Sequence, residues 1–124
     1  NKKLSYLEKN DFFIFKSKKS IFAMTAHIIF KSLDKHNCIT HSKKAIKYIR
    51  DKIKFKNLII SDDISMKALP YKIDINIKKA YESGCNLVLH CNANMNEMRK
   101  LGQIAPRVNS FIIKKTSEFY KLLS

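Results

Sequence analysis

A chain of 124 residues suits one small domain or part of a larger one, and a hydrophobic share of 45% allows a core and excludes compositional disorder. No apolar run approaches the roughly 20 residues that cross a bilayer, and Asn1-Lys2-Lys3 leads into a mixed stretch unlike a signal peptide. The net charge of +15 raises nucleic acid as a partner, yet the cations are scattered lysines apart from Arg50, Arg99 and Arg107. Lys, Asn and Ile share A- and T-rich codons, so base composition accounts for the charge and nucleic acid is disfavoured.

The first methionine is Met24, so Asn1 is not expected to be a natural start. Ser5 to about Lys18 reads as a helix with a stripe of Leu7, Phe12, Ile14 and Phe15. Ile21 to Phe30 is apolar and β-branched, which predicts a buried strand. His27 lies towards its far end, placed either to bond a ligand or to serve as a satisfied structural histidine. Lys31 to His41 is a polar connection. Ser42 is the expected N-cap of a helix from Lys43 to about Lys54, whose stripe is Ala45, Ile46, Ile49 and Ile53.

Leu58 to Ser61 is a short Ile- and Leu-rich run that ends in Asp62-Asp63. Such a run predicts a parallel strand buried on both faces. Leu58, Ile60 and Asp62 then share one side, and Ile59, Ser61 and Asp63 the other. A carboxylate at the carboxyl end of a buried strand is where α/β folds place chemistry, which marks Asp62 as a candidate nucleophile. The alternative makes Asp63 or Ser61 a helix cap and Asp62 a solvated turn residue.

Met66, Ala68 and Leu69 suggest a brief turn before Pro70. Ile75 to Ser83 reads as helix with Gly84 as its stop. Cys85 to Asn92 is the third strand. A helix from Ala93 to Leu101 is expected to end at Gly102, and a last helix runs from about Ile112 to Leu123. Alternating helices and strands with short connections imply a parallel α/β sheet of right-handed βαβ units. About three such units cannot close an eight-stranded barrel, which takes roughly 250 residues.

The odd set of Cys38, Cys85 and Cys91 without a secretory signal suggests reduced thiols in the cytoplasm. His36, Cys38 and His41, like His90 and Cys91, lack the paired spacing of a structural zinc site, so no metal and no cofactor is expected.

Three ordered blocks resemble a known family: Met24-Thr25-Ala26-His27, Ser61-Asp62-Asp63-Ile64-Ser65-Met66-Lys67-Ala68, and Gly84-Cys85-Asn86-Leu87-Val88-Leu89-His90-Cys91-Asn92. They are similar to the C-terminal half of bacterial β-N-acetylglucosaminidases, or β-hexosaminidases, of glycoside hydrolase family three (the NagZ type). The resemblance implies the C-terminal part of a TIM (β/α)8 barrel over residues 1–124, with the N-terminal half absent. It implies a retaining glycosidase acting on N-acetylglucosaminyl-anhydromuramyl saccharides or peptides from cell-wall turnover. Carried over, Asp62 is the nucleophile, while His27 and Met66 are substrate-binding candidates, Met66 equally a packing residue. The family's acid/base pair, an Asp-His loop after a Lys-His-Phe-Pro-Gly-His-Gly motif, would fall before residue 1. Asn57 and Cys38 replace a glycine and a proline of the family pattern. The chain is therefore expected to be a fragment with little hydrolysis alone. A non-catalytic remnant, and a basic nucleic-acid module, are the alternatives.

Overall fold

The computed structural model describes residues 2–16 and 20–123. Its centre is a three-stranded parallel sheet in the order β1-β2-β3, with β1 at Phe22–Met24, β2 at Leu58–Asp63 and β3 at Leu87–Leu89. The helices are α1 (Leu4–Asn10), α2 (Lys43–Asp51), α3 (Ile73–Ser83), α4 (Met95–Ile104) and α5 (Ser110–Leu123). With β2 central, β1 and β3 each carry an open edge. Among the described residues, no helix is long and apolar enough to cross a membrane.

The central strand shows why its composition matters. Leu58, Ile59 and Ser61 are buried. Ile59 joins the core with Ile46 of α2 and with Ile77 and Ala80 of α3. By alternation, Leu58, Ile60 and Asp62 fall on the opposite face. Phe22 and Leu58 are register partners on that face, and Phe119 of α5 packs edge-on against Phe22 at 5.2 Å between ring centroids. Further along the same face, Met24 opposite Ile60 is 59% exposed. The helix-covered face is therefore closed, while the other is open towards the carboxyl ends of the strands.

Several expected boundaries move. The first helix stops at Asn10 and gives way to a single 3-10 turn at Phe13–Phe15; the expected continuation to Lys18 lies outside the described residues. The long apolar run yields only the three-residue strand β1, because beyond Thr25 the backbone turns to other partners: Ala26 C=O accepts from Thr40 Oγ1, and Ile28 C=O from Ile39 N–H. α4 continues through Gly102 to Ile104, since Leu101 and Ile104 pack against the core; Pro106 stops it by forcing Ala105 to an extended ψ of 130°.

Two expected terminators hold. Ser42 Oγ accepts from Ala45 N–H at 3.1 Å and donates to Asp34 Oδ2 at 2.7 Å. Gly84 ends α3 at φ 112°, a conformation that favours glycine, and a Cβ there would meet Ile46 Cγ2 at 3.0 Å, so a larger residue would also press on that side chain. Asp34 also accepts from the His36 and Asn37 N–H groups. Burial pushes its carboxyl up, but these bonds outweigh it and hold the group well below the usual carboxylate range. Ser42→Ala removes the cap and one Asp34 bond together. It is expected to cost on the order of 2 kcal/mol, read from urea denaturation midpoints.

Candidate active site

The site forms where the three strands end. β2 and β3 fall out of register between Ile60 and Asp63, the mark of a bulge. The buried Ser61 hydroxyl accepts from Leu89 N–H at 3.0 Å and so satisfies a backbone donor where the ladder is broken. This is a structural use of Ser61 other than capping a helix. α3 begins after Lys72, which makes no side-chain cap.

The two aspartates have different surroundings. Asp63 is saturated: Oδ1 accepts from Ser65 N–H (3.0 Å), Ser65 Oγ (2.8 Å) and Cys91 N–H (3.1 Å), and Oδ2 lies 2.7 Å from Ser65 Oγ. Its backbone carbonyl accepts from Met66 N–H and from His27 Nε2. Asp63 thus ties the ends of all three strands. Burial raises its carboxyl, but the bonds from Ser65 and Cys91 more than offset this, and nearby His90 adds to them; the group sits below its ordinary value. Asp62, by contrast, is half-buried, and its Oδ1 accepts from Asp63 N–H at 2.8 Å. No other hydrogen bond to its carboxylate is formed among the described residues. One oxygen is thereby oriented and the other left for a ligand.

His27 lies three residues past β1 and bridges strands. Its Nε2 is 2.9 Å from Asp63 C=O, an acceptor only, so Nε2 carries the proton. Nδ1 lies 2.9 Å from Thr40 Oγ1, and Thr25 Oγ1 completes the chain at 2.9 Å from Thr40. Thr25 and Thr40 are buried. Both ring nitrogens of His27 have partners within the protein, and through Nε2 it holds the Asp63 carbonyl. Met66, whose N–H bonds to the Asp63 carbonyl, is 44% exposed.

At the opposite end of the strands, Arg50 fixes the base of β2. Its guanidinium donates to Phe55 C=O (2.9 Å), Asn57 C=O (2.6 Å) and Asn86 Oδ1 (2.8 Å). Asn86 Oδ1 also takes Ile59 N–H at 2.9 Å. Asn57 Nδ2 in turn donates to Ser20 C=O at 2.8 Å.

The clamp made by Asp63, Ser65 and the Cys91 amide was not legible in advance. Sequence spacing pairs Asp63 with Ser65, but the contact to Cys91 joins residues 28 apart. His90 likewise pairs with Glu97 at 2.9 Å. His41 stays buried beside Tyr71, and burial holds it neutral with its pKa lowered to about 4.

A parallel α/β arc with an accessible carboxylate at the carboxyl edge of its middle strand fits the part of a TIM barrel that the resemblance implied, a geometry shared with open parallel sheets. Residues 2–116 match the Glycosyl hydrolase family 3 N terminal domain, and the chain belongs to that family. It is 34% identical over 71 residues to a beta-hexosaminidase of Nitrosomonas eutropha, covering 56% of this chain and 20% of that protein. It is 30% identical over 84 residues to a beta-hexosaminidase of Haemophilus ducreyi, covering 66% of this chain and 24% of the relative. The whole chain superposes on CbsA from Thermotoga neapolitana with a TM-score of 0.78 and 26% identity, spanning 32% of that chain. The chain thus spans about a fifth to a quarter of the curated relatives it matches.

Proposed function

We propose that this chain supplies the nucleophile to a retaining β-N-acetylhexosaminidase, with Asp62 as the attacking group. The observation that carries the proposal is the division of labour between adjacent carboxylates: Asp63 takes three donor groups from Ser65 and Cys91, and Asp62 keeps an oxygen without a hydrogen bond among the described residues. In this reading the ionised Asp62 attacks the anomeric carbon from below the ring as the bond to the leaving oxygen breaks. Water then cleaves the glycosyl ester.

A retaining enzyme also needs a general acid, which must hold a proton near neutral pH. Asp63 is unsuited to that role, since its hydrogen bonds favour the ionised form. The acid is therefore assigned to the N-terminal half of the barrel, on the Asp-His loop of the family. That half would also pair with the open strand edges and cover the exposed face at Met24. The relatives' lengths, several times the matched span, support such a completing polypeptide.

The proposed substrate is terminal N-acetylglucosamine on cell-wall turnover products, in the cytoplasm, with Met66 at the sugar rim. The support is the Ser61–Met66 motif and the likeness to two beta-hexosaminidases. A slow fluorinated N-acetylglucosaminide, given to the completed enzyme, tests the covalent step. Mass spectrometry of its peptides is expected to find the sugar on Asp62; a label on Asp63, or on neither, overturns the assignment.

A further inference from the structure

We propose that Glu97 is a positioning residue for the candidate active site: it holds the turn at 90–92 that delivers the Cys91 N–H to Asp63. The proposal rests on the reading of Asp62 as nucleophile and adds to it a residue outside the strand mouth. Glu97 lies in the first turn of α4, yet its carboxylate reaches back to the end of β3. Its Oε2 accepts from His90 Nε2 at 2.9 Å and from Asn92 Nδ2 at 2.8 Å. These two bonds hold the Glu97 carboxyl below its ordinary value, so it accepts as a carboxylate and Nε2 carries the proton. The two donors flank Cys91, whose N–H reaches Asp63 Oδ1 at 3.1 Å. The His90 side chain is 5% exposed, which anchors this end of the turn in the protein.

Helix capping does not account for this arrangement. Glu97 stands three residues after the N-cap Asn94, the place from which a glutamate commonly accepts from the N-cap backbone N–H. Here Asn94 N–H goes to Asn92 Oδ1 at 2.9 Å, and Asn94 Oδ1 takes the Asn96 and Glu97 N–H groups. Asparagines therefore serve the helix end, and the Glu97 carboxylate ties the strand end instead. Between the two, Ala93 has φ 57°, a left-handed conformation that a residue with a Cβ adopts at a cost. The bonds on either side hold the turn in it.

From Cys91 the contacts run on to the reacting group. Ser65 is two residues from Asp63 and moves with it, whereas Cys91 ties the Asp63 carboxylate to a different strand end. The Asp63 N–H in turn orients Asp62 Oδ1 at 2.8 Å. Without Glu97 the turn is released, the Cys91 bond weakens, and the end of β2 that carries Asp62 loses one of its ties. His27 still holds the Asp63 carbonyl, so the effect is a misplacement of Asp62 and not an unfolding.

The test is amide hydrogen exchange of the isotope-labelled chain, followed by nuclear magnetic resonance, together with titration of the Asp63 carboxyl. In Glu97→Ala the Cys91 amide is expected to exchange about tenfold faster, the scale of one lost hydrogen bond, and the Asp63 carboxyl to titrate higher than in the parent. The Ala45 amide, capped by Ser42 in another part of the fold, should not change. Glu97→Gln keeps an oxygen for both donors and should return the Cys91 amide to within about twofold of the parent. In the completed enzyme, Glu97→Ala should lower kcat about tenfold with KM within about twofold. Exchange at Cys91 and titration of Asp63 that match the parent overturn the proposal. So does acceleration at Ala45 equal to that at Cys91, the sign of a general loss of stability, and so does an unchanged kcat. The exchange measurement uses no substrate, so a sugar label found away from Asp62 strikes the nucleophile reading and leaves the hold of Glu97 on Cys91 standing.

Discussion

Asp62→Asn in the completed enzyme is expected to lower kcat for 4-nitrophenyl N-acetyl-β-glucosaminide by on the order of 10⁴-fold or more, the scale on which enzymes lose rate with a covalent nucleophile. The amide is nearly isosteric, so Asp63 N–H keeps an oxygen acceptor and the bulge at Ser61 is undisturbed. What disappears is the anionic oxygen that forms the glycosyl ester and stabilises the oxocarbenium-like transition state. KM should change little by comparison, since the loss falls on the transition state. Assay of released nitrophenol checks this. Turnover within tenfold of the parent would take Asp62 out of the nucleophile role.

Asp63→Asn should act on stability first, with a loss of about 3 kcal/mol at neutral pH from weakened charge-assisted bonds. Its Oδ1 holds Ser65 N–H, Ser65 Oγ and Cys91 N–H, and an amide oxygen there keeps these partners but loses the negative charge that strengthens each bond. The folded state lowers the pKa of Asp63 below the unfolded value of 3.8. Its contribution is accordingly full above that value and fades as pH falls through the lower, folded one. The gap between parent and variant, read from urea midpoints, should be widest at neutral pH and narrow below about pH 4. Asp34 titrates in the same direction in both proteins, so it steepens both acid limbs without closing the gap. A gap that stays constant down to pH 3 would show that the charge of Asp63 is not what secures the strand ends.

Local chemistry was readable along the chain. The Ser42 cap, the Gly84 stop and the strand that ends in two aspartates depend on neighbours within a few residues, so the sequence carries them directly. So does parallel pairing, which short connections between alternating helices and strands impose. Element lengths were less legible. The apolar run at Ile21–Phe30 has strand composition throughout, yet only Phe22–Met24 pairs, because Ala26 and Ile28 give their carbonyls to the 39–40 segment. Gly102 has low helix propensity, but packing of Leu101 and Ile104 keeps α4 intact across it.

The sequence by itself determined that two carboxylates would stand at the mouth of a buried strand. Only the tertiary structure separated them. Cys91 N–H reaches the Asp63 carboxylate from 28 residues away and His27 its backbone carbonyl from 36, each just past a strand that flanks β2. The Cys91 contact, added to those of Ser65, occupies one carboxylate, while its neighbour keeps a single bond. Identical side chains one residue apart acquire different chemistry from the partners that folding brings to each.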